Sequence, residues 1–215
     1  NLDRLRKTVG ALCLDTPAPD YGALSSTVKI HMNPNVCPSF TDALYPELFR
    51  RYYASIRSNK LVLIAPFEGG TDTYFAESII GTPTTFVYME NGTGLHHNSR
   101  DTIEKVDARS LRDLCMFTAL ALYYTANAGH EDIALLAALT YDRGAEVIHG
   151  KASEMRHRIM LAKTGEELGA ALAEGARVIE YYTGLQAQAL RSILRIVEPE
   201  NRAAAERELS PYVRS

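Results

Sequence analysis

The sequence predicts an α/β unit over residues 1–129 followed by an all-helical extension over 130–215. Short β-like runs alternate with helical patterns as far as Gly129, which is α/β texture. From His130 onward the strand-like runs stop and Ala, Leu, Arg and Glu dominate. The 215 residues, 46% hydrophobic and 23% charged, suffice for one full core plus an extension.

The elements follow in chain order. TVGALCLD (8–15) and STVKIHM (26–32) read as strands, the second alternating apolar and polar residues after a Pro- and Gly-bearing turn. FTDALYPELFRRYYASIRSN (40–59) reads as a helix starting near Thr41, with Pro46 either in an early turn or at a break. KLVLIAPF (60–67) and TPTTFVYME (82–90) are strands, and TDTYFAESIIG (71–81) between them is a helix closed by Gly81. Asp107 is placed to accept hydrogen bonds from the free N–H groups of the next helix, and Val106 and Leu111 have the spacing of a hydrophobic staple.

In the extension, apolar residues recur at three and four: Leu168, Leu172, Ala176 and Ile179, then Leu190, Ile193, Leu194 and Val197. Thr164 and Glu167 form a capping box and Pro199 marks the far end, so one helix is expected over about 165–197. A helix that long needs a partner. Either it folds back on 130–162 as a hairpin, or it presents a dimerisation surface for a homodimer.

Composition excludes several functions. A net charge of −3, with Lys and Arg scattered, provides no footprint for nucleic acid or for an anionic membrane surface. Runs such as MFTALALYY fall short of a membrane span, and the opening residues do not read as an export leader. A start at Asn1 suggests a processed product or part of a longer chain. Cys13, Cys37 and Cys115, an odd number at wide spacing, are expected to be reduced and mostly buried. GxSxG, P-loop and GxGxxG motifs are absent from the sequence. The tyrosine pairs at 52–53, 123–124 and 181–182 read as core edges, and Arg156, His157 and Arg158 as a solvated helix face.

Two residues have site-like positions. Asp15 ends a strand, so its carboxylate emerges at the carboxyl edge of the sheet, where α/β proteins place ligands. His97 follows the strand 82–90, and the same rule brings it toward the same edge; an imidazole and a carboxylate are typical zinc ligands. An aspartate at a strand end also commonly just opens a turn.

The run GGTDTYFAESIIGTPTTFVYMENGTGLHHNSRDTIEKVD resembles the carboxyl-terminal half of the two-zinc aminopeptidases, metallopeptidase family twenty-eight. Asp72 matches the aspartate of the family's Ser-Asp-His motif, Gly81 and Pro83 its turn into a strand, His97 its ligand histidine, and Asp101 and Thr102 the loop that follows. GALCLD resembles the strand that delivers another zinc-binding aspartate, here Asp15. The resemblance covers about residues 5–128.

It implies a three-layer, zinc exopeptidase-like α/β fold, incomplete at its N-terminus, and a peptide substrate cleaved near a free amino terminus. Asp15 and His97 would hold metal, on different ions of a two-zinc pair. Asp72 would shape the substrate pocket, and His96 would act on the scissile carbonyl from a position where the family has a tyrosine. Thr73 stands where the family usually has histidine, and Thr16-Pro17 follow Asp15 in place of the family's Gly-containing turn. The family's His-x-Asp and Glu-Glu motifs should precede Asp15, and only fourteen residues do. The isolated chain is therefore expected to retain little zinc and to be inactive. A non-catalytic aminopeptidase-like binding or dimerisation module is the alternative, and a single-zinc acyltransferase of the same fold, such as a glutaminyl cyclase, a third.

Overall fold

A computed structural model of the protein describes residues 2–15, 27–58, 60–90, 97 and 99–214. They form two compact units, one of residues 1–37 and 41–128, the other of residues 38–40 and 129–215.

The first unit is α/β. In chain order it contains α1 (Leu2–Lys7), β1 (Ala11–Asp15), β2 (Thr27–His31), α2 (Thr41–Ser55), β3 (Val62–Ala65), a 3-10 helix (Asp72–Ala76), β4 (Thr84–Glu90) and α3 (Ala108–Asn127). The sheet runs β1-β4-β2-β3. β1 is parallel to β4, β2 is parallel to β3, and β2 and β4 are antiparallel.

Alternation along the strands separates two faces. Val28 and Ile30 stand opposite Met89 and Val87, and all four are sealed from solvent. This is the core face. The same core holds Leu44, Tyr45, Phe49 and Tyr53 of α2 with Leu114, Phe117 and Ala121 of α3, and the Phe49 and Phe117 rings stack at 3.7 Å. The other face presents Cys13, Asp15, Lys29, His31, Phe86 and Tyr88, a far more polar set.

Pro46 lies inside α2 without ending it, because the helix starts only five residues earlier, close to where a missing N–H is unpaired anyway. Asp107 caps α3 by accepting the Arg109 N–H at 3.1 Å, and Ser110 Oγ donates to its other oxygen at 2.9 Å. Over 71–81 the structure departs from the sequence expectation. The α-helix there is replaced by the short 3-10 helix 72–76 and a turn that ends at Gly81 with φ +66°, a left-handed conformation glycine adopts without strain. Thr73 and Ala76 are buried there and Thr73 Oγ1 donates to the Glu68 carbonyl, so packing holds the segment as a tight turn. Cys13 and Cys37 are buried, in line with the expectation of mostly buried thiols, and Cys115 is exposed because α3 turns its core stripe to Leu114 and Phe117.

The second unit is helical. α4 (Ile133–Leu161) and α5 (Gly165–Ser192) form a hairpin, and α6 (Arg202–Arg214) packs on both. Thr164 Oγ1 accepts the Glu167 N–H at 3.1 Å, and the Glu167 carboxylate accepts the N–H of Lys163 at 2.6 Å. The expected continuous helix to 197 stops at Ser192 and tightens into a 3-10 turn over Ile193–Ile196. Ser192 Oγ there accepts the backbone N–H of Phe40 at 2.8 Å. The helices approach closely where side chains are missing: a Cβ on Gly144 would lie 3.1 Å from Gln186.

Candidate functional site

The polar face of the sheet is the floor of a cavity of about 300 Å³, walled by the segment 66–71 that follows β3. Two rows of paired residues cross that floor. Asp15, Tyr88 and Lys29 form one row on β1, β4 and β2; Cys13, Phe86 and His31 form the next. Glu68, Gly70 and Thr71 face them from the wall.

Thr71 Oγ1 donates to Asp15 Oδ2 at 3.5 Å and lies 3.6 Å from the Cys13 sulfur. Thr73 Oγ1 donates to the Glu68 carbonyl at 2.6 Å, closing the wall into a turn. His31 is buried, its ring 5.0 Å from that of Phe86, and its Nδ1 lies 2.7 Å from the Pro66 carbonyl oxygen. A carbonyl only accepts, so Nδ1 carries the proton and Nε2 is the acceptor of the neutral ring.

Burial pushes the Cys13 thiol up; the Thr71 hydroxyl works against that, while the carboxylates of Asp72 and Asp15 add to it. These influences disfavour the thiolate, which speaks against a nucleophilic role for Cys13.

The structure brings Asp15 and Asp72 to the same neighbourhood, since both act on Cys13. Asp72 is the exposed first residue of the 3-10 helix. His97 is exposed, with φ +57°, on the chain that leaves β4, and it is not among the residues lining the cavity around Asp15. Because β1 and β4 are parallel, that chain departs from the same edge of the sheet as Asp15. His96, Thr16 and Pro17 lie outside the described residues. Among the described residues no group of three or more His, Cys, Asp or Glu side chains is arranged to hold a metal ion. Asp15 with its Thr71 partner does not make a zinc site by itself.

Sequence reasoning missed Lys29, His31, Glu68 and Tyr88. The signal was present in STVKIHM: the alternation that buries Val28 and Ile30 must present Lys29 and His31 together on the other face. No protein-family model matches the chain, and neither does any curated protein or solved structure.

Proposed function

We propose that this chain is the carboxyl-terminal part of a two-zinc aminopeptidase-like protein and contributes one side of its active site. The parallel pairing of β1 with β4 supports this reading: β1 ends at Asp15 and β4 at Glu90 on one edge of the sheet, seven residues before His97 in the sequence. Asp15 ends a strand, Asp72 lies in the segment beside it, Gly81 and Pro83 turn into β4, and Asp107 opens the next helix.

In this reading Asp15 and His97 bind different zinc ions, Asp72 shapes the pocket and His96 acts on the scissile carbonyl. One protein ligand per ion falls short of the three that hold a catalytic zinc, so the chain alone turns over no peptide. The other ligands come from outside it.

The second reading, a non-catalytic binding module, is favoured by one specific observation: Asp15 already has a hydroxyl partner in Thr71. Zinc content and aminoacyl-anilide hydrolysis decide between them. The enzyme reading expects two zinc equivalents and turnover in a longer polypeptide carrying upstream His-x-Asp and Glu-Glu motifs, both lost in Asp15→Ala. A longer polypeptide that purifies and reconstitutes without zinc overturns it.

A further inference from the structure

α3 is apolar on two opposite sides. One side fills the core of the first unit through Leu114, Phe117 and Ala121. The other side is exposed, yet from Cys115 to Ala126 the helix contains no Asp, Glu, Lys or Arg. Met116, Leu122 and Tyr123 on it are 54%, 46% and 71% exposed. A helix that is apolar all round is ordinarily buried all round, so the composition of α3 calls for a second packing partner on its outer side.

The spacing of the outer face selects that partner. Cys115, Met116, Ala119, Leu122 and Tyr123 are all exposed and follow one another at steps of 1, 3, 3 and 1, a stripe that reads the same in both directions about Ala119. Arg112 and Ala126 extend it by three residues at either end. A surface with that symmetry matches its own copy across a two-fold axis, with the two helices antiparallel. Ala119 then meets Ala119 on the axis, where a small side chain lets the helices approach. Met116 faces Leu122, and Cys115 faces Tyr123, small against large. Arg112, already paired with Asp113 at 2.8 Å, faces Ala126, and the two copies of its guanidinium fall about 21 Å apart along the helices, beyond the screening length. A parallel pair would instead set Arg112 against Arg112.

The area suffices for such a pair. The outer face offers roughly 500 Å² per copy, about 1,000 Å² for two, which is where specific interfaces begin. We propose that the outer face of α3 is a homodimer interface, covered by the antiparallel α3 of a second copy of this chain. It is separate from the helical extension and does not rest on the zinc reading.

Sedimentation equilibrium of the full chain in reducing buffer tests it and should show a reversible dimer between about 1 and 100 µM. Leu122→Glu places a charge at two symmetry-related points of the interface and should weaken the dimer about a hundredfold or more. Leu122 is exposed in the single copy, so this variant is expected to fold, which its circular dichroism verifies. Leu172→Glu, at an exposed position of the helical extension, should leave the dimer unchanged. In a Cys115→Ser background, Ala119→Cys should form an intermolecular disulfide on mild oxidation, while Ala126→Cys, displaced from the axis, should not. A chain that stays monomeric at the highest concentration leaves the face to another polypeptide and overturns the proposal. So does a dimer that survives Leu122→Glu, one that Leu172→Glu dissolves, or one in which Ala126→Cys cross-links as readily as Ala119→Cys.

Discussion

Asp42 Oδ1 accepts two hydrogen bonds from the single residue Asn33, from its backbone N–H at 2.8 Å and from its side-chain amide at 2.9 Å. The Asn33 amide oxygen in turn accepts the Thr84 N–H at 2.6 Å. One buried side chain thereby joins the end of β2, the first turn of α2 and the start of β4. Asn33→Ala should cost about 1–3 kcal/mol, since it removes one of the two hydrogen bonds to the buried Asp42 carboxylate and leaves the Thr84 N–H without its acceptor. Urea unfolding followed by circular dichroism measures it. A loss below 1 kcal/mol would mean that water replaces the amide.

A second buried group, Asp113, receives Arg112 at 2.8 Å, the Tyr52 hydroxyl at 3.1 Å and Lys60 at 3.7 Å. Burial lowers the Lys60 ammonium from its ordinary range, with Asp113 and Asp107 working against that. Asp113→Ala should destabilise by about 3–5 kcal/mol because it leaves Lys60 without its buried counter-charge. Lys60→Met should cost under about 1.5 kcal/mol, since Arg112 and Tyr52 still serve the carboxylate. Equal losses in the two variants would contradict this asymmetry.

Tyr45 links pH to stability. Burial raises its phenol above the usual range, and its hydroxyl lies 3.2 Å from Thr125 Oγ1. A phenol raised in the folded state contributes its full stability below the unfolded value of about 10 and loses it as pH rises through the folded value. Tyr45→Phe should therefore be less stable by about 1 kcal/mol at pH 7. The gap between variant and parent should narrow above about pH 10, as denaturation midpoints collected from neutral to alkaline pH will show.

Glycines divide by backbone conformation. Gly81, at φ +66°, has open space around it, so Gly81→Ala should cost about 1 kcal/mol through strain alone. Gly169 and Gly184 lie in the interior of α5 with nothing near a new Cβ, and alanine at either should gain up to about 1 kcal/mol. Gly144→Val should lower the melting temperature, because even a Cβ there meets Gln186 at 3.1 Å. Thermal melts of the four variants would separate strain, propensity and packing.

The sequence alone determined what depends on neighbours along the chain. Strand runs such as ALCLD and TVKIH, the caps at Asp107 and Thr164 and the helical texture after His130 are legible because period and capping are local properties. Tertiary structure decided which strands pair and what each face meets. The order β1-β4-β2-β3 brings Cys13 beside Phe86 and His31, residues 18 to 73 positions apart in sequence that no local pattern links. Packing also reduced the expected helix after Thr71 to a single 3-10 turn, and by folding the segment 66–71 over the polar face it made a cavity around a histidine that in the sequence is only one member of an alternating strand.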